Sequence, residues 1–303
     1  MSGLHHYPSS DPDALLKELG IDVSARILDA GSGGSPFKYA DVIVDRDFSP
    51  GNRHRDGIDG LRHKTGHACV QADIQSLPFK DNAFDFVVCM HVLEHVACPD
   101  RACEELMRVA RAGYIETPRK WTEFYAGHPA HIWLVDTFSD KIVFEPADFD
   151  DFPFINFALP PLWESEKLQH RLFSDFPGIP NVQLAWKSRF ACEVKSELPE
   201  RLLEKEYLAE RHYCFARNLL LWMGDFSNGA FHAQTAAGMV PDCDRYLRLS
   251  RFYKGLTCDF KTLFFSGLSW KMTVAALVCR ILQSVSIRCL RFYRTILRRA
   301  GYG

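Results

Sequence analysis

The segment that most constrains the fold is a short apolar run followed by a glycine-rich turn. Residues 27–30 read Ile-Leu-Asp-Ala, and Gly-Ser-Gly-Gly-Ser-Pro follows them. Such a run is typical of a buried parallel strand, and the glycines let the main chain approach a ligand closely because no Cβ intervenes. We therefore predict that Asp29, Gly31 and Gly33 bind a nucleotide-type cofactor. The alternative is a structural turn between a strand and a helix.

A second apolar run, Val42–Val44, ends at Asp45. A carboxylate at that strand end accepts hydrogen bonds from ribose hydroxyls, so we predict that Asp45 binds the ribose, with Asp47 as the rival. The two strand-end acids are only sixteen residues apart, and a Ser-Pro pair interrupts the connection. We expect any helix there to have at most two turns, which weakens cofactor binding or leaves it to be completed by residues 119–135.

Further motifs follow in an order that is typical of one enzyme family. They lie at Val70–Ile74, Leu77–Phe79, Phe84–Met90, His91–Val96 and Gly113–Pro118. This ordered set, with its Phe-Asp, Leu-Glu-His and acidic-loop signatures, resembles the class I S-adenosylmethionine-dependent methyltransferases. It is most similar to the small-molecule branch with a methyltransferase-type-11-like domain, which is related to the ubiquinone and menaquinone biosynthesis enzymes. The resemblance covers residues 25–118 well and 119–196 loosely.

The resemblance implies an α/β fold with a Rossmann-like, mostly parallel seven-stranded sheet flanked by helices. It also implies S-adenosylmethionine as the cofactor and methyl transfer to a small-molecule, glycan or lipid-linked acceptor. By the same resemblance, Asp73 and Ile74 lie at the adenine, although Asp73 alone also fits a turn cap. The segment from His91 to Leu93 contacts the cofactor, and the two residues after it cap and anchor the next helix.

The pattern of apolar residues predicts where the elements lie. Continuous apolar runs, typical of strands buried on both faces of a parallel sheet, predict strands near residues 26–30, 41–45, 67–72, 84–90, 112–116, 141–145 and 189–195. Helices are predicted at 12–20, 99–111 and 164–174, with Asp11 or Ser10 capping the first. We expect the last strand, which alternates more, to form an edge hairpin with the strand at 141–145.

An acceptor lid is predicted at residues 119–135, which follow the fifth strand and carry aromatic residues, two histidines and a glycine. His128 and His131 are the candidate general bases, because an imidazole titrates near neutral pH. Packed structural histidines are the equal alternative. No metal site is predicted: His91 and His95 have helical ligand spacing, but no third ligand is evident.

Two domains are predicted, a methyltransferase domain at 1–197 and a helical extension at 198–303. Helices of the extension are expected at 198–223, 243–254 and 269–299. All 38 acidic residues precede residue 260, whereas eight basic residues and no acid follow it. The acidic first part argues against nucleic-acid binding.

The last predicted helix, 269–299, is basic and amphipathic. Its arginines on one stripe are Arg280, Arg288, Arg291, Arg294 and Arg298. Such a helix fits an anionic membrane surface, or else packs against the acidic body. The first residues lack the features of a secretory signal, and the ten cysteines lack paired spacing. We therefore predict a cytoplasmic protein with peripheral attachment to the inner membrane surface.

Two other functions remain open at this point. A nicotinamide-dependent oxidoreductase requires a Gly-x-Gly-x-x-Gly turn, and Pro36 stands where the third glycine belongs. A non-catalytic scaffold that keeps the fold without the cofactor is supported only by the short connection after the glycine turn.

Overall fold

The computed structural model describes residues 7–48, 67–126, 128–139, 141–148, 178–218 and 226–257. The described chain forms two compact units, of which the first ends at Pro199 and the second begins at Glu200. The predicted helices at 164–174 and 269–299 lie outside the described residues.

Among the described residues, the first unit contains nine strands. They are β1 (Ile27–Ala30), β2 (Val42–Asp45), β3 (Ala68–Gln71), β4 (Phe84–Met90), β5 (Ala110–Pro118), β6 (Trp133–Phe138), β7 (Lys141–Pro146), β8 (Asn181–Lys187) and β9 (Ala191–Val194). A six-stranded sheet has the order β3-β2-β1-β4-β5-β8, and a three-stranded sheet has the order β6-β7-β9. The first five strands of the large sheet are parallel, and β8 runs antiparallel to β5.

The predicted α/β class is confirmed, but the predicted seven-stranded sheet is wrong in its strand count. Strand β9 was expected to form a hairpin with β7, whereas it pairs with β7 in parallel and in the separate small sheet. A parallel pair requires a long crossover, and the intervening chain includes β8, which extends the large sheet. Strands β6 and β8 were both missed at the sequence level.

The large sheet is buried because its central strands are apolar on both faces. All four residues of β1 are buried, and in β4 Phe84 and residues 86–89 are buried while Asp85 is exposed. Of the three helices predicted in the first domain, the two that fall on described residues are present as α1 (Pro12–Leu19) and α2 (Pro99–Val109). Asp11 caps α1, since its Oδ1 accepts hydrogen bonds from the amides of Asp13 and Ala14.

The connection from β1 to β2 contains no helix, and residues 31–41 are described throughout. The sequence allowed at most two helical turns there, so the connection is simpler than expected. The amides that a helix would pair among themselves bond instead to the strand-end acids. Phe37 N–H donates to Asp29 Oδ2 at 2.8 Å, and Gly33 N–H donates to Asp45 Oδ2 at 3.1 Å.

The described residues of the second unit are largely helical, and the helix at Phe226–Met239 was not predicted. After a short 3₁₀ turn at Glu200–Leu203 this unit contains α4 (Lys205–Asn218), α5 (Phe226–Met239) and α6 (Asp244–Thr257), while α3 (Lys120–Ala126) belongs to the first unit. The helices approach closely at Gly229, where an added Cβ would lie 2.0 Å from the Tyr253 hydroxyl. That hydroxyl donates to Ala216 O at 2.6 Å, so one tyrosine joins all three helices.

Within the described part of the chain, we find no helix of sufficient length and hydrophobicity to span a bilayer.

Candidate active site

The glycine turn lies where the strand order reverses, between the carboxyl ends of β1 and β4. Gly31 and Gly33 have φ of 86° and 53°, in the left-handed region that favours glycine. A Cβ added at Gly31 would lie 2.3 Å from Val92 Cγ2, so the turn packs directly on the segment after β4. Ligands of open α/β sheets bind outside the carboxyl ends of the strands at such a reversal. The structure therefore places these two glycines at the expected ligand edge.

Asp29 and Asp45 hold the turn through the two amide hydrogen bonds described above. Asp45 also accepts from the amide of Asp47 at 3.1 Å, so the rival ribose acid is its neighbour in the same loop. Asp29 is buried, and that burial raises the pKa of its carboxyl to about 7; the Phe37 amide opposes the shift, and the charge of Asp45 adds to it.

The turn has room and an unsatisfied polar group for a ligand. An added Cβ at Gly33 would meet nothing within 4 Å, so the space beside this glycine is open. The Ser32 hydroxyl is buried and has no hydrogen-bond partner among the described residues. Buried polar groups are normally paired. The turn therefore fits a polar ligand whose groups reach Ser32 and the partly buried carboxylate of Asp45.

Three residues that are predicted to bind the cofactor make contacts that stabilise the fold. Asp73 accepts from both the amide and the side-chain nitrogen of Gln75, as a turn cap does. Burial raises the pKa of Asp73, but these bonds outweigh it and the net direction is downward. Ile74 and Leu93 are buried in the apolar core beside the sheet, so only their main-chain groups remain for a ligand. Their roles at the cofactor stay predictions.

His91 directly follows β4 and has a left-handed conformation, with φ of 56°. It is not on a helix, so the i, i+4 spacing of His91 and His95 does not place them on one helical face. Its Nε2 lies 3.4 Å from Glu116 Oε1, and its Nδ1 lies 3.7 Å from Glu94 Oε1. Partial burial lowers the pKa of His91, but the two carboxylates outweigh it and raise this pKa to about 10. Half of the His91 side chain remains exposed to solvent, with 49% of its surface accessible.

Glu116, at the end of β5, is the most extensively bonded acid at this edge. It accepts hydrogen bonds from the Tyr114 hydroxyl at 2.5 Å, from Asn181 Nδ2 at 2.9 Å and from Gln183 Nε2 at 2.8 Å. Burial raises the pKa of Glu116, yet His91 and these donors outweigh it and lower the pKa overall. Asn181 and Gln183 lie on the missed strand β8, so the sequence pattern could not indicate this network.

The segment predicted as an acceptor lid is largely regular structure. It contains helix α3 and the start of β6, and Trp133 is buried in the core with its Nε1 donating to Val96 O at 2.7 Å. A lid needs side chains that face a ligand, whereas this tryptophan holds two loops together. Residues 128–132 form the remaining loop.

The loop at 128–132 is bound to the segment after β4. Ile132 N–H donates to Glu94 O at 2.8 Å, and His95 Nδ1 pairs with Ala130 O at 3.0 Å. Glu94 and His95 were expected to cap α2, but the N-cap of α2 is Cys98, which makes no side-chain cap bond. Glu94 is buried instead; burial raises its pKa, and His91, His95 and His131 outweigh that and lower it to about 2.

The two candidate bases differ in their surroundings. His131 is nearly buried, and its Nδ1 pairs with Glu123 Oε1 at 2.7 Å. His128 is partly exposed, and its Nδ1 accepts a hydrogen bond from the Ala130 amide at 3.2 Å. That bond uses the lone pair with which a neutral His128 would take a proton. The geometry therefore favours His131 over His128 as the candidate base.

Comparisons with known proteins agree with this architecture. Residues 28–115 match the family model described as a methyltransferase domain. A demethylmenaquinone methyltransferase from Paenarthrobacter aurescens is 35% identical over 105 residues, which cover 31% of this chain and 38% of the relative. The corresponding protein from Renibacterium salmoninarum is 37% identical over 105 residues, covering 31% and 40%. The chain thus spans about two fifths of the length of these relatives.

An uncharacterized methyltransferase from Mycolicibacterium gilvum is 27% identical over 146 residues, which cover 40% of this chain and 56% of that protein. Among solved structures, a SAM-dependent methyltransferase from Aquifex aeolicus is similar at 21% identity and a TM-score of 0.28, covering 36% of this chain and 65% of that one. A structural similarity of that size adds nothing to the assignment.

Proposed function

Because residues 28–115 form a methyltransferase domain of the class I fold, we propose that this protein transfers a methyl group from S-adenosylmethionine to a small-molecule acceptor. The observation that carries the proposal is the glycine turn at the strand-order reversal, with the Asp45 carboxylate hydrogen-bonded to Gly33. The family match also favours this function over the nicotinamide-dependent alternative.

Some of the chain's residues bind the cofactor, and others act on the acceptor. Asp45 accepts from the ribose hydroxyls, Gly33 and Ser32 receive the methionine end, and Asp73 faces the adenine. When bound, S-adenosylmethionine supplies an activated methyl group with a neutral leaving group. The protein mainly has to hold the acceptor in line at attack distance, and a base is needed only if the acceptor carries a proton. His131 is the residue we assign to that proton.

The acceptor is proposed to be a small molecule, including glycans and lipid-linked compounds. Two curated relatives are named for their action on demethylmenaquinone. The basic amphipathic segment 269–299 supports an acceptor met at an anionic membrane surface, because each basic residue near such a surface adds about 1 kcal/mol of attraction.

Titration calorimetry with S-adenosylhomocysteine tests the cofactor site. Asp45→Ala removes a charged acceptor of hydrogen bonds, which is typically worth about 1.5–3 kcal/mol, so we expect at least tenfold weaker binding. Asp45→Asn, which keeps an acceptor oxygen, should lose less. Asp81→Ala removes an exposed carboxylate before β4, at the opposite edge of the sheet, and serves as the matched control.

Three outcomes would redirect the assignment. Equal affinity of Asp45→Ala and the wild-type protein moves the ribose site to Asp47. Absence of binding by the wild-type protein itself supports a scaffold that keeps the fold without the cofactor, in line with the missing helix between β1 and β2. Binding of a nicotinamide nucleotide in the same experiment would restore the oxidoreductase alternative.

A further inference from the structure

Glu94, His95 and His131 converge in the first unit, and each offers one ligand atom within 4.8 Å of the others. We propose that these three side chains bind a divalent first-row transition metal ion, represented by Zn²⁺. Two imidazoles and one carboxylate are a ligand set of catalytic zinc sites, which leave a further coordination position open. The third ligand comes from a segment distant in sequence, so residue spacing could not reveal it.

Glu94 is buried without a hydrogen bond to its carboxylate among the described residues. Its residue is 1% exposed, and neither carboxylate oxygen has a hydrogen-bond partner among the described residues. His91 Nδ1 lies 3.7 Å from Oε1, which is beyond hydrogen-bond distance. Desolvating an ionised carboxylate is costly unless a partner compensates. A metal ion coordinated by Glu94 provides that compensation.

Both histidines are oriented as metal ligands are. His95 Nδ1 lies 3.0 Å from the Ala130 carbonyl oxygen, and His131 Nδ1 lies 2.7 Å from Glu123 Oε1. A carbonyl and a carboxylate only accept hydrogen bonds, so each ring carries its proton on Nδ1 and its lone pair on Nε2. Metal-bound histidines characteristically donate their second ring N–H to a carboxylate or a backbone carbonyl. Glu123 and Ala130 are therefore assigned as the groups that orient the two ligands.

The charge of the cluster also favours a cation. Glu94, Glu116 and Glu123 are each at most 4% exposed. In the described ranges, every ion pair of these three acids is with a histidine. A divalent cation placed among three buried carboxylates is attracted to each of them.

The cluster lies next to the glycine turn. Glu94 and His95 belong to the 3₁₀ turn Leu93–His95, which begins directly after Val92, the residue that packs on Gly31. A bound ion would therefore be close to the edge at which the acceptor enters. This role in acceptor binding rests on the proposed function, whereas metal binding itself does not. The ion would occupy the Nε2 lone pair of His131, so it would replace this histidine as the group that promotes loss of the acceptor's proton, by lowering the pKa of the acceptor.

The test uses the full chain, stripped with a chelator and then titrated with Zn²⁺ by calorimetry and with Co²⁺ by visible absorption. We expect one ion per chain and a Co²⁺ spectrum typical of four or five ligands. Glu94→Gln and His131→Ala should each weaken Zn²⁺ binding at least 100-fold. Glu123→Gln should weaken it about 10- to 100-fold, as removal of a supporting hydrogen bond does.

Two control variants separate this site from other histidines. His67→Gln alters a histidine of the same unit that pairs with Ala40 O outside the cluster, and His5→Ala with His6→Ala removes the adjacent pair near the start of the chain. Zn²⁺ binding that survives Glu94→Gln and His131→Ala, or that disappears only with the His5 and His6 changes, overturns the proposal. Absence of Zn²⁺ binding by the wild-type protein does so as well.

If Glu94→Gln fails to fold, Glu123→Gln decides, because it keeps all three ligands and changes only the support of His131. A wild-type affinity in Glu123→Gln would then count against the site. S-adenosylhomocysteine is titrated into the same proteins. If the wild-type protein binds Zn²⁺ but not S-adenosylhomocysteine, the proposed function alone is contradicted. If it binds S-adenosylhomocysteine but not Zn²⁺, the metal site alone is contradicted.

Discussion

Individual carboxylates determine most of the chemistry at the carboxyl edge of the large sheet. Asp29 and Asp45 bind the amides of the turn, whereas Glu94, Glu116 and Glu123 are buried among histidines. The sequence identified the first pair because each follows an apolar run. Glu94 lies in the Leu-Glu-His motif, Glu116 in β5 and Glu123 in α3, and only the structure shows that all three are buried.

Asp29 makes stability depend on pH in a specific direction. Burial raises its pKa to about 7 in the folded protein, from the ordinary value of 3.8 that the unfolded chain has. Between these values the folded state keeps a proton that the unfolded state releases, so this group's contribution to the free energy of unfolding falls as pH rises from about 4 to about 7. At about 1.4 kcal/mol per pKa unit, the total is about 4 kcal/mol.

Asp29→Asn should remove that dependence, because the amide oxygen can still accept from Phe37 N–H and does not titrate. The pH dependence is measured by denaturant unfolding of the wild-type protein and of Asp29→Asn at pH 4, 5.5 and 7. We expect the variant to gain stability relative to the wild-type protein as pH rises. A difference that stays constant over this range would show that Asp29 titrates normally.

At the scale of elements, the contact between the glycine turn and the segment after β4 is the central feature. It joins the ends of the two strands that flank the strand-order reversal. Because Gly31 leaves no room for a Cβ and Gly33 does, the two glycines have different tasks: one allows packing, and the other leaves space for a ligand.

Alanine substitutions separate these tasks. Gly31→Ala combines a left-handed φ with a clash at Val92, so we expect a loss of about 2–5 kcal/mol of unfolding free energy. Gly33→Ala meets no neighbour and should lose only about 1–2 kcal/mol, but it should bind S-adenosylhomocysteine at least tenfold more weakly. Unfolding curves and calorimetry on both variants measure this. Equal destabilisation by the two changes would contradict the assigned contact.

At the scale of the whole molecule, the described chain forms two units with separate cores. The cofactor motifs all lie in the first, and the second is held by the contact of Gly229, Tyr253 and Ala216. Changes in the helical unit should therefore alter its stability without altering cofactor affinity.

Gly229→Ala introduces a Cβ at 2.0 Å from the Tyr253 hydroxyl, so we expect a loss of about 1–3 kcal/mol in the helical unit. Gly238→Ala lies in the same helix with no atom within 4 Å of the added Cβ, and it should be neutral or stabilising by up to about 1 kcal/mol through helix propensity. Hydrogen exchange of the helical unit measures the effect, and S-adenosylhomocysteine affinity should not change. Equal exchange in the two variants would refute the packing argument.

The basic segment 269–299 provides a prediction for the intact chain. We expect the full protein to co-sediment with anionic vesicles and to be released by salt, which screens surface attraction. Truncation after Leu263 should abolish co-sedimentation and leave cofactor binding intact. No vesicle binding by the full chain, together with a lower melting temperature after truncation, would instead support packing of this segment on the body.

The sequence by itself determined the α/β class, the positions of β1, β2, β3 and β4, and the carboxylates at the first two strand ends. These features depend on local patterns: apolar runs bury strands, and glycines allow left-handed turns. Helix α1 was equally predictable, because its Asp11 cap and Gly20 end are local signals.

Only the tertiary structure decided which residues meet across the chain. Strand β8 pairs with β5 and brings Asn181 and Gln183 to Glu116, and the loop at 128–132 brings His131 to Glu94. These contacts join segments separated by some 40 to 70 residues, and no local periodicity encodes such distances. The side chains around Glu94 and Glu116 therefore come together only when the sheet has formed, because long-range pairing brings together the strand ends and loops that carry them.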